Sequence, residues 1–452
     1  MRSSFVLGIL ACAALGASTA RAAVNFTRAG DIGVGSTPLA IAAGDIDGDG
    51  KIDLVTANND SGDVSVLWGN GDGTFPASAS LAVSDGPSAI ALADFDGDGK
   101  LDIVIADDID STVSVMINQG NRTFGTPATI DTGSSPEGIA VGDFNHDGKL
   151  DVVTADNFDD TVTVLLGVGD GTFFPGTAYD VGSSPFGIVV VDLDKDGNPD
   201  IATACTDGGD DASGSVTVLM GSHDGNFTPQ PEITSTTFDG PSAIVTADFD
   251  GNGKPDLAVG NQGSVDTGTT VVVLLGNGGG GFTIVQPVAT VGNLPSGIVA
   301  ADFDGDGKVD LATSNNFDDN VSVLTGLGNG SFNSQVLFSV APPLPADAAP
   351  AGLVAADLNG DTKPDIVTAN EDDDVVTVLL NAPATSQVCA GDCDASGDVT
   401  VNELITLVNI DLGNADNSAC PSGIPAGDTV DITLIITAVN NALGMCPAAA
   451  AN

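Results

Sequence analysis

The stretch DFDGDGKLD (residues 94–102) places aspartates at positions one, three, five and nine, with glycine at four and six. So much like charge in so few residues is self-repelling unless a cation sits among the oxygens. A hard divalent ion such as Ca²⁺ takes six to eight oxygen ligands from closely spaced carboxylates, with glycine at the sharp bend. The pattern occurs seven times. Its candidate ligands are Asp45, Asp47, Asp49 and Asp53; Asp94, Asp96, Asp98 and Asp102; Asp143, Asn145, Asp147 and Asp151; Asp192, Asp194, Asp196 and Asp200. The last three sets are Asp248, Asp250, Asn252 and Asp256; Asp302, Asp304, Asp306 and Asp310; and Asp357, Asn359, Asp361 and Asp365. Asn145, Asn252 and Asn359 are the only non-aspartates among the 28 places, and an amide oxygen can still coordinate. His146 falls at the non-ligand fourth place, and Thr362 stands where the other loops have glycine, so loop seven, which also has Asn359, departs furthest from the pattern. No His or Cys occupies a ligand position, which disfavours a transition metal in these loops. Asx-rich turns without a metal are the competing reading.

Something must hold these loops in register, and the flanking sequence supplies it. The loops begin at residues 45, 94, 143, 192, 248, 302 and 357, steps of 49, 49, 49, 56, 54 and 55. A proline lies seven residues upstream each time (Pro38, Pro87, Pro136, Pro185, Pro241, Pro295, Pro350) and opens a short apolar run. A second apolar run follows the loop, then a third such as VSVLWG or VTVLLG. A fourth segment is marked by Phe75, Phe124, Phe173, Phe227, Phe282 and Phe332. Four short runs separated by turn residues predict a small antiparallel sheet per unit. Unit seven lacks its fourth run, while Phe26 lies 12 residues before Pro38, as Phe75, Phe124 and Phe173 lie before their prolines. The missing strand therefore stands at the other end of the chain, as expected if the first strand closes a ring and removes its edges. The expected fold is an all-β seven-bladed β-propeller of four-stranded antiparallel blades over residues 23–382.

The units resemble FG-GAP/VCBS repeats, the blades of integrin α-subunit propellers and of many secreted bacterial proteins. The resemblance implies that the nine-residue loops bind calcium, about one ion per blade. It further implies that the face opposite those loops serves as a binding surface. On that face the connection between second and third strands is lengthened only in units four and five, at 206–214 and 261–268. The link between units six and seven, NSQVLFSVAPPLPADAAP, is also long. Drift of tolerated loops is the alternative.

Little points to catalysis. The two histidines, His146 and His223, accompany no Ser or Cys motif, and there is no G-x-S-x-G elbow, P-loop or H-E-x-x-H. The paired carboxylates are all accounted for as loop ligands. Cys205 ends an apolar run and reads as a buried small residue, and Trp68 in a third strand reads as packing. A non-enzymatic protein is expected.

A formal charge of −51 argues against nucleic acid and against anionic membrane surfaces. At the N-terminus, Arg2, the apolar run from Phe5 to Leu15 and Ala20-Arg21-Ala22 read as a secretory signal over residues 1–22. Nothing later is long and apolar enough to span a bilayer, so a secreted monomer without membrane insertion is expected. Cys389, Cys393, Cys420 and Cys446 crowd the end of the chain, which in an exported protein suggests two disulfides of unfixed pairing.

After a linker at 383–388 the pattern changes. DCDASGDVTVNE (392–403) fits a 12-residue EF-hand-type loop with Asp392, Asp394, Ser396 and Glu403 as ligands, and NELITLVNIDLG reads as an amphipathic helix with Leu404, Leu407 and Val408 on one face. VDITLIITAVNNALG echoes VTVNELITLVNIDLG 31 residues on. The two halves, at 389–447 before a tail at 448–452, resemble a type I dockerin, which implies a small α-helical module, one further calcium ion and attachment to a cohesin-like scaffold. Leu434, Gly423 and Pro425 break the second loop, and a disulfide-pinned helical cap is the alternative. The function expected is extracellular protein or surface binding, that is, adhesion. The rival is a carbohydrate-active protein, either a glycan-binding lectin or a polysaccharide-degrading enzyme.

Overall fold

In the computed structural model of the chain, the described residues are 24–206, 214–263, 269–341, 348–381, 406–408 and 410. Residues up to Asn381 form one unit and those from Ala382 another. The first unit is a ring of seven antiparallel sheets. In blade one the strands are Pro38–Gly44, Asp53–Asn58, Asp63–Trp68 and Ala77–Ala82, hydrogen-bonded in that order. The same order holds in the other blades, and each of the seven prolines is the first residue of an inner strand. That place tolerates a residue without an N–H.

Blade seven contributes Pro350–Ala356, Asp365–Asn370 and Val375–Asn381, and its outer strand is Phe26–Gly33 from the start of the chain. The register runs from Phe26 against Asn381 to Gly33 against Val375, with a bulge between Arg28 and Gly30. The displaced strand therefore closes the ring, as the offset of Phe26 predicts.

The core is not single. Seven hydrophobic clusters each join residues of two neighbouring blades, for example Val55, Val66 and Trp68 of blade one with Ile103 and Met116 of blade two. Second strands are buried at every position because neighbours cover both faces of each blade, whereas outer strands such as Ala77–Ala82 alternate with solvent. That is why the middle runs read as continuously apolar. Aromatic edges repeat at the interfaces: Phe95 meets Phe173, Phe144 meets Phe227, Phe249 meets Phe332 and Phe303 meets Phe26, with centroids 5.4–5.9 Å apart. Each pair sets the second residue of one aspartate loop against the marker phenylalanine of the following blade. The inner strands surround an axial cavity of about 450 Å³ lined by Ile41, Ile90, Ile139, Ile188, Ile244 and Ile298.

In the second unit, residues 406–408 and 410 are helical. Leu407 is fully buried while Val408 is 40 % exposed, so these two do not share a buried face as the sequence pattern suggests. The candidate ligands Asp392, Asp394, Ser396 and Glu403, and the four C-terminal cysteines, lie outside the described residues.

Candidate metal centres

Each aspartate loop joins a first strand to a second strand, and its own carboxylates shape it. In loop two, Asp94 accepts from the amides of Gly97 (2.8 Å), Asp98 (3.1 Å) and Gly99 (2.8 Å). Asp96 accepts from the Asp98 amide and Asp98 from the Lys100 amide. Asp102 is fully buried, and its two oxygens accept from the amides of Phe95 (2.8 Å) and Asn118 (2.7 Å), which ties the loop to the end of the third strand. The position-nine aspartate makes this double bond in all seven blades.

The fold over the aspartates needs left-handed backbone at positions four and six. Gly97 has φ +75° and Gly99 φ +86°. Where glycine is missing the conformation persists, at His146 (φ +55°), Lys195 (+63°) and Thr362 (+72°). Thr362 donates its amide to Asp357 at 2.8 Å as the glycines do, and Asp361 donates to Asn359. Loop seven thus has the backbone and hydrogen-bond pattern of the others despite its two substitutions.

The same carboxylates also bring oxygens close to one another. In loops one, two, four and five the acids at positions one, three and nine bring one oxygen each within 4.8 Å of one another, and in loop six Asp302, Asp304 and Asp306 do so. In loops three and seven the third position is Asn145 or Asn359, whose Oδ1 accepts from the position-five amide as the aspartates do. Hard oxygens only, with a buried carboxylate at the base, fit a hard divalent cation. Burial pushes the position-nine carboxyls up, to about 6 for Asp151, Asp200, Asp310 and Asp365, and upward also for Asp53, Asp102 and Asp256. A bound cation would reverse that effect by favouring the charged form.

Each loop also carries one lysine: Lys51, Lys100, Lys149, Lys254, Lys308 and Lys363 at position seven, and Lys195 at position four of loop four. Several pair with the exposed position-five acid, as Lys308 does with Asp306 at 2.9 Å. Loop one has a second cation besides Lys51: Arg122 from blade two places its guanidinium 2.6 Å from Asp47 while lying 4.8 Å over the ring of Trp68. Trp68 is buried in the interface, in keeping with a packing role.

Among the described residues, the turns of the opposite face hold no lysine or arginine. They carry Asp60, Asp108, Asp110, Asp159, Asp160, Asp318, Asp319 and Glu371 to Asp374. Within this acidic field three turns expose large apolar side chains, Ile109 (66 %), Phe158 (80 %) and Phe317 (56 %). Sequence reasoning placed a contact surface here but passed over these residues. Their signal was an apolar residue inside a turn of polar ones (DDIDS, DNFDD, NNFDD). Parts of the two long connections, 207–213 and 264–268, lie outside the described residues. Cys205 is buried, and desolvation pushes its thiol up to about 11, so it is not an activated nucleophile.

A family profile described as an FG-GAP-like repeat matches residues 45–105, 94–154, 143–203, 204–259, 261–313 and 302–368. Comparison with curated proteins gave no match. Among solved structures, the chain is similar to BBS1N from its complex with ARL6DN (15 % identity, 79 % of this chain and 98 % of that one, TM-score 0.52). It is also similar to a protein of unknown function from Desulfotomaculum acetoxidans (14 % identity, 70 % and 88 % covered, TM-score 0.51) and to a Lactobacillus plantarum protein (17 %, 68 % and 85 %, TM-score 0.51). At these identities the likeness concerns the fold alone. With six profile matches that together span well over half of the sequence, the chain belongs to the FG-GAP-like repeat family.

Proposed function

We propose that this protein is an exported, non-catalytic binding propeller, stapled by calcium on one face and contacting an extracellular protein with the other. Calcium would be held by positions one, three, five and nine of each loop, and when bound it supplies the positive charge that lets the aspartates stay ionised at close range. The loops' own amides already fix the ligand oxygens, so the site is largely preorganised. In this reading the EF-hand-type segment at 392–403 serves attachment to a scaffold.

The observation that carries the reading is the exposure of Ile109, Phe158 and Phe317 on tight turns within an acidic field. Aromatic side chains are enriched in the buried cores of protein interfaces. Charge complementarity selects a partner with basic residues around apolar pockets. The test is retention of extracellular-matrix proteins, and separately of a glycan array, on the immobilised calcium-loaded chain. Salt-sensitive capture of a protein by the wild type, lost in the double variant Phe158→Ser/Phe317→Ser with unchanged melting, is the expected result. Glycan capture or polysaccharide cleavage that survives in that variant would replace this reading with the carbohydrate-active one.

A further inference from the structure

The chain has two histidines, and the fold brings them together. His146 lies in loop three and His223 in the hairpin between third and outer strands of blade four, yet their ring centroids are 4.8 Å apart at a tilt of 49°. Both depart from the repeat. At the place of His146 five loops have glycine (Gly48, Gly97, Gly251, Gly305, Gly360), and His146 adopts their left-handed backbone, at φ +55°. At the place of His223 the other five hairpins of this type have glycine, each at positive φ and against its own blade's position-seven lysine, as Gly169 lies against Lys149. In blade four that lysine is also replaced, by Asn198.

Three departures from the repeat thus meet at one spot, and they fit one another chemically. Asn198 donates its side-chain amide to Asp196 Oδ2 at 2.9 Å, which fixes its Oδ1 as an acceptor. That oxygen lies 3.0 Å from His146 Nε2, so Nε2–H donates to it and Nδ1 is the ring nitrogen left to face a ligand. A carbonyl holding one ring nitrogen while the other stays free is the arrangement that orients metal-ligating histidines. The hairpin carrying His223 is held against loop three by close packing: a side chain on Gly225 would meet the Asn145 Cβ at 3.1 Å. Two imidazoles on one ion with metal–nitrogen bonds of about 2 Å have ring centroids roughly 5 Å apart, close to the separation observed.

We infer that His146 and His223 form a binding site for a borderline divalent transition ion, with Zn²⁺ or Cu²⁺ as ligand, bridging blades three and four. It is chemically distinct from the all-oxygen loops, since imidazole selects such ions over calcium. The exposed carboxylate of Asp224, next to His223 in the chain, adds negative potential, and the remaining coordination positions fall to water.

The test uses the full calcium-saturated chain, titrated with Zn²⁺ and followed by calorimetry and by the imidazole ¹⁵N resonances. The variants are His223→Gln, which lies outside the aspartate loops, and His146→Gly, which restores the residue of five sibling loops. Zinc should move both imidazole signals, and each variant should lose one equivalent or at least tenfold in affinity, with bound calcium unchanged. Ions taken up by the C-terminal cysteines are common to all three proteins and cancel in the difference. Unmoved imidazole signals, or zinc uptake equal in wild type and His223→Gln, would overturn the inference.

Discussion

The two faces of the ring follow opposite rules. On the aspartate-loop face seven segments share one backbone path, one set of amide-to-carboxylate bonds and one lysine each. On the other face the turns differ from blade to blade in length, charge and exposed apolar residues, and among described residues they lack any cation. Repetition within one chain marks a demand that every blade must meet, here the tying of one strand to the next. Variation marks freedom from that demand, and such freedom is where binding specificity can be built.

The largest effect that would break this contrast is metal removal. A ligand at a thousandfold excess over its Kd contributes about 4 kcal/mol per site, and several sites act on one ring. Chelation in a calorimeter should therefore lower Tm by more than about 10 °C. An unmoved Tm would reduce the repeated face to ordinary turns.

Next comes a comparison within loop two. Asp102→Ala removes a buried acceptor and strands the amides of Phe95 and Asn118, so urea unfolding should show a loss of about 2–4 kcal/mol with or without calcium. Asp98→Ala removes an exposed acid and should destabilise only when calcium is present. Equal and calcium-independent losses would contradict a ligand role for position five.

The smallest effect sharpens the contrast from the variable face. Asp107 ends the second strand of blade two, where blades one, five, six and seven have Asn58, Asn261, Asn315 and Asn370. Burial raises its carboxyl to about 6, and its Oδ1 has no hydrogen-bond partner among the described residues. A folded-state value above the ordinary 3.8 means that the fold binds the proton more tightly than the unfolded chain does. The stability this group contributes is complete below about pH 4 and is lost as the pH rises through about 6. Asp107→Asn should thus stabilise by about 1 kcal/mol at pH 7, with the gain vanishing near pH 4. In calcium-free protein the position-nine aspartates add the same sign of dependence. Calcium requires them ionised, so its benefit should fade over the same window from above.

Whatever repeats was legible in the sequence. The prolines, the marker phenylalanines and the aspartate spacing gave the strands, the blade count and the closing strand, because each is a local pattern read seven times. Contacts between blades were not legible. Arg122 reaches Asp47 across 75 residues and His146 meets His223 across 77, by a rotation between sheets that no sequence period encodes. Burial of identical residue types escaped for the same reason: Phe144 is sealed between blades while Phe158 is exposed. Val408 shows the limit of a helical pattern when the neighbouring surface is unknown.

The closing strand also sets an order of events. Phe26 pairs with Asn381, so this strand must wait, unpaired, until some 350 further residues have been synthesised. Contacts of such separation form slowly. Until Val375–Asn381 arrives, the Phe26–Gly33 segment is an unpaired strand able to pair with another chain, and the last completed blade presents an uncovered apolar face. Ring closure is therefore the step at which this molecule is most exposed to intermolecular strand exchange. A chaperone or a low local chain concentration would matter most there.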